Sequence, residues 1–221
     1  NEGGQSAAGA AIEQLLSFHP AADEAKALAK ARGLSLPVLL AGLAAEKAQT
    51  LSAAAGLADG LHVVPEFLGN RAPFADPHAR AAIVGLGMER DTDSLVSLYI
   101  AGLCGIGYGL RQIIDAQAAA GAPVEKIVIS GGAGQLDLVR QLLADATGKP
   151  LLATRSEEPV LLGAAILGSV AGGAFPDVRS AIAALSATDR SYRPATGEIA
   201  ALHARRYDAF TRLQALAREI R

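Results

Sequence analysis

The residues with the clearest chemical potential form a glycine-rich turn between a predicted strand and a predicted helix. The mostly apolar run 126–130 ends in Ser130, and Gly131-Gly132-Ala133-Gly134 follows directly. Backbone N–H groups at such a turn can bind a phosphate, and the small side chains let an adenine ring lie against the backbone. No Gly-Lys-Ser/Thr follows, so this is not a P-loop, and Asp137 replaces the third glycine of a dinucleotide fingerprint. These residues alone predict either a nucleotide loop or a tight turn without a ligand.

A second group of candidates lies in the loop 69–77, which reads Gly-Asn-Arg-Ala-Pro-Phe-Ala-Asp-Pro. Arg71 and Asp76 are its charged side chains, and glycine, asparagine and proline restrict the backbone around them. Loops of such restricted shape often carry function. The alternative is a surface turn in which Arg71 and Asp76 pair with each other.

The third candidate is the start of the chain, which reads Glu2-Gly3-Gly4-Gln5-Ser6-Ala7-Ala8-Gly9. Glycine beside the start of a helix can face a phosphate. A flexible end left by truncation explains the same residues, and on this window alone we favour that interpretation.

The cysteine and histidine content argues against metal and disulfide chemistry. A single cysteine, Cys104, excludes an internal disulfide and a four-cysteine zinc site. Because Cys104 lies in an apolar run, we predict a buried and unreactive thiol. The four histidines show no paired spacing for a metal ion. The cysteine usage favours a cytoplasmic location.

Alternating helices and strands must position these candidate residues. Apolar residues recur at helical spacing in seven segments, and short apolar, mostly β-branched runs mark the strands. This alternation predicts an α/β fold. The predicted helices lie at 7–18, 21–32, 37–54, 92–120, 135–146, 159–172 and 199–220, and the predicted strands at 61–65, 126–130 and 150–153, with a further extended piece at 82–86.

Composition excludes several classes of protein. With 51% hydrophobic and 19% charged residues, the chain should not be disordered. A net charge of -2, 4% aromatic residues and no Trp argue against nucleic-acid binding. The uncharged stretches 94–110 and 159–176 are shorter than the roughly 20 residues that span a bilayer. Glycines and three-to-four spacing in the first stretch favour a helix packed against protein.

The three windows together resemble the C-terminal half of the FGGY family of carbohydrate kinases. The order and spacing of residues 2–9, 69–77 and 130–133 match that half, and the resemblance covers essentially the whole chain. The Gly-Gly-Gln-Ser start and the Gly-Asn-Arg-x-Pro loop look like the pentulose kinase, or ribulokinase-like, branch. Further matching positions are Gln141, Ala144, Asp145 and Leu162-Gly163-Ala164-Ala165.

The resemblance implies an actin-like, ribonuclease-H-like ATPase domain with helices packed on a short mixed sheet. In this family two domains close on MgATP and a sugar or polyol. The γ-phosphoryl group passes in line to a hydroxyl of the acceptor, with an Asp as the base. We therefore expect ATP and Mg²⁺ as cofactors and a small-molecule pentulose or polyol as substrate. Neither nucleic acid nor a membrane is expected as a partner.

The resemblance also assigns roles residue by residue. The positions that approach the nucleotide correspond to Gly9, Glu13, Gly131, Gly132, Ala133 and Gln135. Leu136 stands where relatives often carry an Asn that bonds adenine, so that contact is in doubt. Arg71 and Asp76 match a loop that faces the interdomain cleft. No catalytic residue and no metal ligand is expected in this chain, because the family's base Asp and its phosphate-binding Gly-Thr motif precede the matched segment.

The family pattern predicts that residues 1–221 form the C-terminal domain of a longer kinase. Its sugar-binding N-terminal domain and the first strands of this domain would precede residue 1. The sheet would then be short, with an exposed edge and an uncovered apolar face. The chain alone would have no sugar kinase activity.

Two other functional classes explain parts of the sequence. One is a noncatalytic actin-like module for ATP binding or assembly, and the other is a helical interaction domain with a purely structural glycine turn. The tail helix from residue 199 could pack on its own domain or on a second subunit of a homo-oligomer.

Overall fold

A computed structural model describes residues 3–130, 135–156 and 158–221 of the chain. Helices dominate it, and the strands are three to five residues long. A 3₁₀ helix, Ser52–Ala58, follows the third α-helix. The helices are α1 (Ala8–Ser17), α2 (Ala22–Ala31), α3 (Leu36–Lys47), α4 (Thr92–Ala119), α5 (Asp137–Thr147), α6 (Pro159–Ala171), α7 (Val178–Leu185) and α8 (Gly197–Glu219), and the strands are β1 (His62–Val64), β2 (Ala82–Val84), β3 (Ile127–Ile129), β4 (Leu151–Thr154) and β5 (Thr188–Tyr192).

The strands form two small sheets. β1 and β2 pair antiparallel, with His62 opposite Val84. In the second sheet, β3 lies parallel to β4, with Ile127 opposite Leu151, and β5 pairs antiparallel to the other side of β4. The second sheet is therefore mixed and short, and β3 forms one of its edges. Val128 on that edge strand is 57% exposed.

The long helix α4 forms the centre of the core. Its start is capped by Asp91, whose carboxylate accepts a hydrogen bond from the Ser94 backbone N–H at 2.8 Å. Half of its 28 residues are buried, among them Tyr99, Ile100 and Cys104. By length and composition α4 could cross a membrane, but 67% of its most apolar window is buried inside the protein. The sequence predicted a helix packed against protein, and such a helix is both apolar over its length and mostly buried.

Three glycines let other elements approach α4 closely. A Cβ on Gly102 would meet Leu15 and Ile12 of α1, and one on Gly107 would lie 2.6 Å from Ala146 of α5. A Cβ on Gly105 would overlap the carbonyl oxygen of Val63 in β1. The glycine pattern of the sequence therefore marks where α1, β1 and α5 dock on one helix.

Three features of the fold differ from the sequence-based prediction. The predicted helix 37–54 ends at Lys47, because Ala48 is extended and Thr50 Oγ1 accepts a hydrogen bond from the Ala53 N–H at 3.1 Å. Such local side-chain bonds compete with helix continuation. Helix α7 and strand β5 were not predicted. β5 has a polar sequence without apolar alternation and forms because β4 offers it an unpaired edge.

An apolar face remains exposed on α6. Only Ile166 of this helix is buried, whereas Val160 and Leu161 are 82% and 65% exposed. α6 packs mainly on α7. The exposed face of α6 and the β3 edge fit the predicted short sheet with uncovered surface.

Candidate functional site

The start of the chain and the loop after β1 meet over the middle of α4 and form a cleft. Two of the three sequence windows thus come together, although they are separated by about sixty residues. The cleft is small, about 30 Å³ in volume. The rest of its wall is formed by Gly105, Ile106 and Gly109 of α4 together with Ala11, Pro65, Glu66 and Phe210. From the two windows themselves, the cleft is lined by Gln5, Ser6, Ala8, Gly69, Asn70, Arg71 and Ala72.

Gln5 anchors the first window on α4. Its side-chain amide donates a hydrogen bond to the Ile106 carbonyl at 2.8 Å. A Cβ on Gly109 would overlap that amide nitrogen, so glycine leaves the space that Gln5 occupies. The start of the chain is therefore docked onto the core, and the interpretation of this window as a flexible end is wrong for the described residues from Gly3 onward.

The loop 69–77 is closed by hydrogen bonds between its two ends. The Asn70 N–H donates to the Asp76 carbonyl at 2.8 Å, and the Asp76 N–H donates back to the Asn70 carbonyl at 2.7 Å. The Asn70 side chain accepts from the Phe74 N–H at 3.0 Å. Gly69 has φ +83°, and a Cβ there would lie 2.9 Å from the Asp76 and Pro77 carbonyl oxygens. This position therefore requires glycine.

The two charged residues of the loop face different surroundings. Arg71 is exposed at the cleft, and its guanidinium lies 3.3 Å from where a Cβ of Gly4 would be. Asp76 is buried and accepts hydrogen bonds from Arg221 at 2.7 Å, from Arg218 at 3.3 Å and from the His78 N–H at 3.0 Å. These bonds, led by the one from Arg221, lower the pKa of Asp76 to about 2. The cations that hold Asp76 thus come from α8 and the residues after it.

A buried polar cluster supports the root of the same loop. Glu66 accepts hydrogen bonds from the side-chain amides of Asn70 and Gln214, the latter at 2.6 Å. Gln214 in turn bonds Gln112 of α4 at 2.8 Å. Buried polar groups of this kind require partners, and here the Gln214 side chain joins α8 both to the root of the loop and to α4.

Of the nucleotide-site residues implied by the family resemblance, the structure describes two on α1 and one just before α5. Gly9 and Glu13 are exposed, one turn apart on α1. Gln135 is exposed two residues before α5 begins. Gly131, Gly132 and Ala133 lie outside the described residues. Nothing in the structure tests whether these positions contact a nucleotide, so they stay predictions.

Metal binding finds no support in the described part of the chain. Within residues 3–130, 135–156 and 158–221, no three His, Cys, Asp or Glu side chains come together as a possible ion site. Burial raises the pKa of the Cys104 thiol to about 11, so it remains protonated at neutral pH.

A model of the FGGY family of carbohydrate kinases, C-terminal domain, matches residues 1–172. The chain belongs to this family. The match includes the start window, the cleft loop and the glycine-rich turn, whereas α7, β5 and α8 lie beyond it.

Relatives of the FGGY family match the chain over part of their own length. An FGGY carbohydrate kinase domain-containing protein of Xenopus laevis is 35% identical over 219 residues, which are 99% of this chain and 40% of the relative. A D-ribulokinase of Saccharomyces cerevisiae is 35% identical over 183 residues, or 80% of this chain and 25% of the relative. The chain thus spans at most about two fifths of these two relatives.

The fold is that of the solved FGGY kinases. A xylulose kinase from Rhodospirillum rubrum superposes with a TM-score of 0.71 at 24% identity, over 96% of this chain and 38% of that one. This confirms the predicted fold class, an actin-like α/β fold with helices on a short mixed sheet.

Sequence reasoning missed the residues that hold the cleft together. Gln5, Asn70 and Asp76 lay within the recognised windows, but the residues that hold them, namely Gly109, Glu66 and Arg221, did not. Gly109 belonged to the glycine series of α4, which was the one available signal. Gln214, which bonds Glu66, lies in a polar helix, and Arg221 lies two residues after its end. The sequence of this helix does not indicate which face meets the loop.

Proposed function

We propose that this chain is the nucleotide-binding part of an ATP-dependent carbohydrate kinase of the pentulose kinase branch. The enzyme would transfer the γ-phosphoryl group of ATP to a hydroxyl of a pentulose or related polyol. Membership of the FGGY family supports the reaction class. The observation that carries the proposal is that two windows matching the family meet at one small cleft, where Gln5 and Ser6 lie beside Asn70 and Arg71.

Exposed backbone on α1 fits a nucleotide. Around Gly9, no described atom lies within 4 Å of the position that a Cβ would take. A planar ring or a phosphate can therefore approach the helix backbone there. Glu13 lies one turn further on the same face and offers a carboxylate to a ribose hydroxyl or an amino group. Gly9 and Glu13 thus fit a bound nucleotide.

The residues of this chain would bind and orient rather than react. ATP supplies the phosphoryl group, and catalysis of such a transfer rests mainly on positioning and charge stabilisation. Gly9, Glu13 and the turn with Gly131, Gly132, Ala133 and Gln135 would hold the nucleoside end. The Arg71 guanidinium at the cleft would face the phosphates or the acceptor and balance their negative charge. The base Asp and the Mg²⁺ ligands are proposed to lie in another part of the kinase.

The remaining parts of the proposal concern partners and location. A sugar-binding N-terminal domain would close over the cleft, and this chain would be the C-terminal domain, residues 1–221, of the kinase. Its small-molecule substrate would be a sugar or polyol. A net charge of only -2 and a single cysteine support a cytoplasmic kinase that binds neither nucleic acid nor membranes.

A glycine pair tests the nucleotide site. Gly9→Ala places a methyl group on the proposed binding face and should weaken MgADP binding by about tenfold or more. The free energy of unfolding should stay constant or rise by up to about 1 kcal/mol, because alanine is the better helix former. Calorimetric titration measures the affinity, and thermal unfolding measures the stability.

Gly42→Ala in α3 is the matched control, since no described atom lies within 4 Å of its Cβ position either. It should leave MgADP binding unchanged.

Hydrogen exchange with and without MgADP should show protection of residues 130–135 and of the start of α1. Absence of that protection, or equal affinity of Gly9→Ala and the parent chain, would contradict the nucleotide-binding role and favour a helical interaction domain.

A further inference from the structure

The C-terminal helix α8 and the two residues after it present three side chains to the loop 69–77 and its root. Gln214 and Arg218 lie four residues apart on one side of the helix, and Arg221 follows two residues after the helix ends at Glu219. Gln214 bonds Glu66, just before the loop. The Arg218 guanidinium lies 4.1 Å from the centre of the Phe74 ring and 3.3 Å from the Asp76 carboxylate. Arg221 bonds both oxygens of that carboxylate.

The helix that carries these side chains is fixed on the core. Arg206 donates to the carbonyls of Ala58 and Leu61 at 2.6 and 2.7 Å. Tyr207 bonds Asp115 of α4 at 3.0 Å and lies under the Arg111 guanidinium, 4.1 Å from the ring centre. α8 therefore provides a rigid support, and the loop is the element that it holds.

Asp76 transmits this support to the cleft. Its backbone is joined to Asn70 by the two hydrogen bonds that close the loop, and Arg71 follows Asn70 directly. The Asp76 residue is 8% exposed, so its carboxylate depends on the two guanidinium groups for compensation of its charge. A buried carboxylate that loses its cations is costly and moves towards water. Such a movement of Asp76 would carry Asn70 and Arg71 with it.

We infer that Gln214, Arg218 and Arg221 are positioning residues, which hold the loop 69–77 through Glu66, Phe74 and Asp76 so that Arg71 stands at the cleft. This inference rests on the proposed kinase function and deepens it. The three residues lie beyond the 1–172 match to the family model, so the support comes from a segment that this match does not include. None of them lines the cleft; they act through the loop.

The double variant Arg218→Ala/Arg221→Ala tests the inference in two ways. In the full-length kinase, kcat/KM should fall by roughly tenfold to a hundredfold, as expected when a group at a reaction site is displaced. Amide hydrogen exchange of Phe74 and Asp76 should become at least about tenfold faster, because their acceptors lie within the loosened loop. Exchange in α1 and α4 should not change. The variant Arg218→Ala/Arg221→Lys keeps one cation beside Asp76, so it should recover part of the lost kcat/KM and part of the lost protection from exchange.

Arg212→Ala is the matched control, since Arg212 lies on the exposed side of α8 and pairs with Asp208 at 3.7 Å. It should leave both kcat/KM and exchange unchanged. Normal kcat/KM in the double variant despite faster loop exchange would overturn the positioning role, and so would unchanged exchange. Absence of kinase activity in the parent protein would instead contradict the proposed function, and the exchange measurement would still decide whether α8 holds the loop.

Discussion

A Gly105→Ala variant is expected to lose about 2–3 kcal/mol of the free energy of unfolding. Gly105 lies on α4 where β1 crosses it, and an added Cβ would overlap the Val63 carbonyl oxygen and lie 3.2 Å from the Pro65 ring. Backbone and proline ring cannot swing aside as a long side chain can, so β1 must move away from the helix. Because Glu66 follows directly, the root of the loop 69–77 would move as well.

Urea unfolding measures this effect as a lower midpoint at an unchanged slope. Gly163→Ala is the matched control, since Gly163 also lies inside a helix and no described atom comes within 4 Å of its Cβ position. That substitution should be neutral or should stabilise the chain by up to about 1 kcal/mol. Equal urea midpoints for Gly105→Ala and Gly163→Ala would show that a Cβ at position 105 does not clash with β1.

Lowering the pH from 6.5 to 4 is expected to remove about 3 kcal/mol of stability through one buried histidine. His203 is 1% exposed, and its Nδ1 lies 2.9 Å from the Tyr108 hydroxyl. Burial lowers the pKa of His203 from 6.5 to about 4, with nearby Arg206 and Arg111 acting in the same direction and Asp145 opposing them.

The direction of this pH dependence of stability follows from proton binding. Between the two pKa values the unfolded chain binds a proton that the folded chain does not, so acid favours unfolding. The contribution of the neutral imidazole is complete above pH 6.5 and is lost as the pH falls towards 4. Each pH unit in this window is worth about 1.4 kcal/mol for one proton. Burial also lowers the pKa of His19 and of His62, which gives them slopes of the same sign.

The His203→Gln variant separates this residue from the other histidines. Glutamine keeps a group that can pair with the Tyr108 hydroxyl but does not titrate, so stability should vary less between pH 4 and 6.5 than in the parent chain. His78→Gln, at an exposed position, is the control. Urea unfolding at several pH values measures the difference. The same pH dependence in His203→Gln as in the parent chain would exclude His203 as its source.

Most of the secondary structure could be predicted because the determining signals are local. The helix that begins after Asp91 is marked by an N-cap residue and by apolar residues at three-to-four spacing, and both signals are local features of the sequence. The structure places this helix at Thr92–Ala119. α5 likewise ends at Thr147, because the following Gly148, with a φ of +65°, terminates the helix. β5 escaped prediction because a polar strand acquires its structure from its neighbour and not from its own pattern.

The candidate site was predictable only in part. Order and spacing of three short windows indicated the FGGY family, and a family-model match over residues 1–172 confirmed it. The windows did not indicate which of their residues support the cleft and which face it. Asp76 illustrates the difference: its charge suggested a site residue, whereas its burial and its two arginine partners make it the link between the loop and α8.

By itself, the sequence determined the order of the elements, the α/β class and the family, because periodicity, capping and turn chemistry act within a few residues of one another. The tertiary structure alone decided which distant groups meet. Gln5 bonds Ile106 across 101 positions, and Asp76 bonds Arg221 across 145. Such pairs depend on how helices with several polar faces dock around α4, and that docking is set by volume and charge in three dimensions. These contacts form the cleft. The sequence contains every residue that lines it but does not indicate that these residues meet.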